Sequence, residues 1–78
     1  MPVDDRQASE ANRERLAELS RDVALTLVGL PEAEAEQRII DAGLRLRLSH
    51  GEAVRADFQF GRITAFSRDG IIVRAVAG

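Results

Sequence analysis

Leu44-Arg-Leu-Arg-Leu-Ser-His-Gly-Glu-Ala-Val-Arg-Ala-Asp-Phe-Gln-Phe-Gly-Arg-Ile-Thr-Ala-Phe-Ser67 is the stretch whose reading decides the fold. Leu44 to Leu48 alternates strictly, which predicts a strand with its leucines on a buried face and Arg45 and Arg47 on the other. Arg62 to Ser67 predicts a second strand. Between them, Ser49 to Gly61 has neither helical nor strand periodicity, and loops this long inside a small domain are usually functional or disordered. Antiparallel neighbours need only a short turn, whereas parallel ones need a crossover of about a dozen residues, which this segment supplies. A parallel pair is therefore expected, with the loop running the length of the sheet and exposed at its tip.

Beyond the second strand, Arg68-Asp69-Gly70 predicts a turn and Ile71 to Val76 a third strand, closing a hairpin. Before the first strand, Pro31 to Ala42 predicts a helix. Proline is tolerated in a first turn, Glu32, Glu34 and Glu36 suit the positive end of the helix dipole, and Gly43 supplies a left-handed stop. Residues two apart on a helix point to different sides, so these acids make a solvated first turn rather than an acid–base or metal site. Farther back, Leu16, Leu19, Val23 and Leu27 recur at spacings of three and four from about Ser9, the mark of an amphipathic helix. That stripe either packs on the same chain's sheet or second helix, or pairs two chains as a homodimer through residues 9–27. Residues 1 to about 8 are expected to form a mobile tail. The fold class expected is α+β: an N-terminal helix, then a helix packed on a small mixed sheet. A tail and additional helix (1–26) precede a domain spanning 27–78.

At 78 residues the chain is one small domain with no room for a large enclosed active site. It has no cysteine, so it gains nothing from an oxidising compartment. Met1 to Gln7 lacks the apolar run of a signal peptide, no segment is long enough to span a bilayer, and a cytoplasmic location is the default. All 11 basic residues are arginine against 13 acids, a net charge of -2. That balance argues against bulk attraction to nucleic acid. Arg45, Arg47, Arg55, Arg62 and Arg74 could form a local anion-binding face, but with three phenylalanines as the only aromatics the chain lacks a base-stacking platform. His50 is the single histidine, and its neighbour Ser49 does not make it a catalytic dyad, since nucleophilic catalysis needs a nucleophile, a base and a group orienting the base. Neither a zinc ligand set nor a phosphate loop is present. The expectation is a protein that is not an enzyme and has no cofactor.

Order and spacing together resemble the potato inhibitor I family of serine-protease inhibitors, which includes eglin-like proteins and a bacterial and fungal branch of elastase inhibitors. Leu27-Val28-Gly29 opens the similar unit and Gly78 closes it. Within the loop, Gly51-Glu-Ala-Val54, then Arg55-Ala56-Asp57-Phe58 and Arg62-Ile63, is similar to the family's glycine, valine, threonine, variable residue, acid, aromatic, spacer, arginine pattern. The opening residues also look like the wall-binding PASTA repeats, which lack this acid, aromatic and arginine loop.

The family resemblance implies a binding loop presenting Val54, Arg55, Ala56, Asp57 and Phe58 to a subtilisin-like or elastase-like serine protease, with Ala56–Asp57 at the catalytic serine. It implies that Arg62 braces Asp57, and that Gly51, Thr64 and Gly78 support the loop. The chain departs from the family where Arg55 replaces a bracing threonine, where Thr64 replaces a second supporting arginine, and where Ala77 replaces a cysteine. A tryptophan common near the start of the unit is also absent. A softer loop is expected as a result. The competing reading is a non-catalytic protein–protein interaction module on the same scaffold.

Overall fold

In the computed structural model the described residues are 5–55 and 57–78, with side chains from residue 10 onward. The order of elements is α1 (Asp5–Leu25), α2 (Glu32–Asp41), β1 (Arg45–Ser49), β2 (Arg62–Arg68) and β3 (Ile71–Ala77). The sheet runs β1-β2-β3, with β1 parallel to β2 and β3 antiparallel to it. This is an α+β fold with a mixed sheet, and the long segment after β1 is the parallel crossover.

Pairing of Arg45 with Arg62, Arg47 with Thr64 and Ser49 with Phe66 sets the register of the parallel strands. Because side chains alternate, Leu46, Leu48, Ile63 and Ala65 share one face of the sheet, and Arg45, Arg47, Arg62 and Thr64 share the other. The first face carries the core. Leu27, Ala35, Ile39, Ile63 and Ala65 are fully buried there, joined by Ala24, Leu44 and Ile72. Removing each leucine or isoleucine side chain from water contributes roughly 1.5–3 kcal/mol, and each alanine methyl about 0.8 kcal/mol. Both helices pack on the sheet, α1 against β3 and β2, and α2 against β1 and β3. The loop closes over the second face, which is why β2 is buried along nearly its whole length.

Asp69 (φ 53°) and Gly70 (φ 79°) turn the β2–β3 hairpin. Positive φ at both central positions matches the twist of the flanking strands, and it favours an Asp-Gly pair. A bulge between Phe66 and Ser67 precedes the turn. The start of β3 is capped from outside by the segment before α2: Gly29 N donates to Ile72 O (2.7 Å), Ile72 N to Leu30 O (2.8 Å) and Glu32 N to Gly70 O (3.0 Å). An edge that would otherwise present free backbone groups is thereby paired.

Two expectations for the N-terminal region need correction. Asp5 to Ala8, expected as tail, already lie within α1, while residues 1–4 fall outside the described residues. The buried side of α1 is also turned slightly from the leucine stripe. Ser20 and Ala24 are buried, Leu16 and Val23 half-buried, whereas Leu19 is 39% exposed. Small residues let the helix approach the sheet closely, which a leucine count does not register. No helix among the described residues is long and apolar enough to cross a membrane.

Candidate functional site

The site is the loop from His50 to Gly61 together with the residues beneath it. Its first arm leaves β1 through a compact turn. Ser49 is fully buried, and its Oγ donates to Glu52 O (2.9 Å) while accepting Gly51 N–H (3.3 Å). The Glu52 carboxylate reaches back to accept His50 N–H (2.9 Å). Main-chain donors, its own N–H first and that of His50 second, hold the Glu52 carboxyl below the usual range. Gly51 sits at φ 108° within this turn, exposed to solvent.

His50 also ties the arm to α2, its Nε2 lying 2.9 Å from Glu32 Oε1. The same Glu32 oxygen accepts the Ser67 hydroxyl. Chiefly for that reason, and next because of His50, the Glu32 carboxyl is held low. Glu34 is an exposed first-turn acid as expected; Glu36 is exposed but lies past the first turn, and Glu32, at the first position, is half-buried and bonded at the loop entrance.

At the centre of the second arm is Asp57. Arg62 grips it twice, through its carboxylate (Nη1 to Oδ2, 3.4 Å) and its main-chain oxygen (Nη2 to O, 3.0 Å). Arg62 is 9% exposed, so this guanidinium is built into the base of the loop rather than lying on its surface. A second arginine comes from the neighbouring parallel strand. Arg47 Nη1 donates to Asp57 Oδ1 (2.6 Å) and Arg47 Nε to Thr64 Oγ1 (3.0 Å). Hydrogen bonds from Arg47 first and Arg62 second hold the Asp57 carboxyl below the usual range.

Thr64 therefore does not leave the loop one arginine short. It pairs with Arg47 across the parallel strands, and its hydroxyl accepts from Arg47 while donating to Gly78 O (2.8 Å). Gly78 N in turn donates to Arg62 O (2.7 Å), closing a ring of bonds beneath Asp57. Alternation alone places Arg47 away from the leucines, and only the return of the loop over that face shows what it meets.

Phe58 lies over Gly78. A Cβ built on Gly78 would fall 2.6 Å from Phe58 Cδ2, and Gly78 has φ 122°. No other residue fits both the backbone conformation and the space without moving the ring. Phe58 meets Phe60 edge-on, with ring centroids 4.9 Å apart and an interplanar angle of 87°. Farther along, Arg45 Nη2 donates to Phe60 O (3.1 Å), and Arg45 N to Gly61 O (2.8 Å).

The sequence-predicted residues thus divide by position. Asp57, Arg62, Thr64, Phe58 and Gly78 come together as one bonded and packed cluster, with Gly51 at the opposite arm. Val54 is half-buried and Arg55 exposed between the two anchored arms. Ala56, expected to fill the protease pocket, and the Ala56–Asp57 bond with it, lie outside the described residues. Of the arginines that could form an anion face, Arg45, Arg47 and Arg62 are engaged with the loop and Arg74 stacks on Phe66 (5.6 Å to the ring centroid). Among the described residues, no group of three or more His, Cys, Asp or Glu could hold a metal ion.

Comparisons with protein-family models, with curated proteins and with solved structures yield no match to this chain.

Proposed function

We propose that the protein is a serine-protease inhibitor of the substrate-like kind, presenting loop 51–61 to a subtilisin-like or elastase-like protease with Ala56–Asp57 as the reactive bond. The double arginine brace on Asp57 is the observation that carries this reading. A loop offered to a protease as an extended strand is an ordinary substrate unless both sides of the reactive bond are held in place. Here the acid after that bond is fixed by Arg47 and Arg62, with Ser49 and Glu52 tying down the other arm. Pre-ordering of this kind lowers the entropy lost on binding. After hydrolysis the new ends would stay where they were, so the cleft remains occupied and the bond can re-form. The small side chain of Ala56 suits a shallow primary pocket. A cytoplasmic location belongs to the same proposal, on the absence of cysteine.

Titration of a subtilisin-like and an elastase-like protease against the purified chain tests this reading. Residual activity is expected to fall linearly to an equivalence point at one chain per protease. Unchanged protease activity at a large molar excess of the chain would overturn the proposal.

The second reading is a protein–protein interaction module that dimerises through α1. Leu25 (83% exposed) and, in part, Leu19 (39% exposed) support it, because packing on the sheet leaves them accessible. Sedimentation of the full chain beside one lacking residues 1–26 separates the cases: two monomeric species argue against helix-driven assembly.

A further inference from the structure

We infer that α1 is the buttress of the loop's second arm, with Leu16 and Arg13 as the positioning residues that hold Phe60 and Gly61 and thereby set how readily the loop is cut. The functional half of this inference rests on the inhibitor reading; the structural half does not.

The physical need for a buttress is clear from the exposure of the arm. Phe58 is 58% exposed and Phe60 41% exposed, so neither ring is secured by burial in the core. Fixing each backbone residue costs roughly 1–2 kcal/mol, and the arm from Asp57 to Gly61 must be held by contacts at both ends. At one end stands the arginine brace. At the other, Arg45 of β1 holds the Phe60 and Gly61 carbonyls, and α1 covers the same residues from the helix side. A Cβ built on Gly61 would lie 3.9 Å from both Leu16 methyls, ordinary packing distance, so the leucine tip faces the loop at Gly61 with room for no more than a methyl group between them. One turn earlier the Arg13 guanidinium stands 5.8 Å from the centroid of the Phe60 ring.

These contacts form a line: Gly78 under Phe58, Phe58 edge-on to Phe60, Phe60 beneath Arg13, and Leu16 against Gly61. The helix can serve as a rail because its far half is seated. Ser20, Ala24 and the following Leu27 are buried against the sheet. A groove of about 400 Å³ between α1 and β3, lined by Ala17, Arg21, Leu25 and Val76, has Phe58 in its wall. Arg13 and Leu16 thus act on the reactive bond through the aromatic arm, without a contact of their own to Asp57.

Amide hydrogen exchange on the full chain and on Arg13→Ala and Leu16→Ala tests the inference. Arg13 is exposed, so its variant keeps the fold even if the leucine variant loses stability. Loss of a cation–π contact predicts exchange about two- to fivefold faster in Arg13→Ala at the Arg45 amide, whose hydrogen is held by Gly61 O, with Gly51 and the interior β2 amides unchanged. The same variant is expected to be hydrolysed faster than the parent by the subtilisin-like or elastase-like protease that the parent inhibits. Unchanged exchange at the Arg45 amide in both variants, or an equal rise at every amide, would overturn the buttress. If the parent chain proves to be an ordinary substrate, the inhibitor reading fails, and the exchange pattern still decides the role of α1.

Discussion

Asp57 accepts from two guanidinium groups that reach it from adjacent parallel strands, and the chemistry of the site follows from that carboxylate staying charged. Its pKa is lowered in the folded chain, so the order it contributes is present above its unfolded value, near 4, and is lost as pH falls through the lower folded value. Glu32 and Glu52, at the opposite arm, are lowered too and act in the same direction. Loop amide protection is therefore expected to hold at neutral pH and to fade below about pH 4, before the core unfolds. Asp57→Asn removes the charge at all pH values. In that variant, protection of the Gly78 amide, which donates to Arg62 O beneath the loop, measured at pH 7, is expected to resemble the parent's at low pH. Thr64→Val keeps the shape but removes a hydroxyl that both accepts from Arg47 and donates to Gly78 O. Leaving buried partners unmatched is expected to cost about 1–3 kcal/mol in chemical denaturation.

At the scale of elements, periodicity is a good guide where one face meets a core and a poor one where both faces are used. Leu44 to Leu48 reads as a strand because its leucines alternate, and the crossover length makes its partner parallel. The pairing of Arg47 with Asp57 was not legible, since it depends on the loop folding back over a face that alternation marks only as non-leucine. Thr64 was legible as a support position, but which arginine it would position was not. In α1 the spacing found the helix and most of its inner side, since Leu16, Val23 and the following Leu27 pack on the core, but it missed the buried Ser20 and Ala24 and placed inward a Leu19 that is 39% exposed. Paired substitutions measure that difference. Ile39→Ala empties a fully buried site on α2 and is expected to cost about 2–5 kcal/mol. Leu19→Ala is expected to stay within about 0.5 kcal/mol of the parent.

Over the whole molecule, the sheet separates two tasks. One face holds the hydrophobic core under α1 and α2, and the other holds the charged ring of Arg47, Arg62, Thr64 and Gly78 under the loop. Most of the buried apolar side chains lie on the first face and the bonds that hold Asp57 lie on the second, so a substitution in the ring should loosen the loop as well as lower the midpoint of unfolding. Gly78→Ala tests the join between the two faces. Its new Cβ would displace the Phe58 ring and would sit on a backbone conformation that side chains disfavour, with an expected loss of about 1–3 kcal/mol. Intact mass spectrometry of the chain during incubation with an equimolar subtilisin-like or elastase-like protease tests the central claim most directly. The predicted result is a persistent one-to-one complex, with a single product cut between Ala56 and Asp57 accumulating slowly; rapid cutting at several bonds between Gly51 and Gly61 would contradict it.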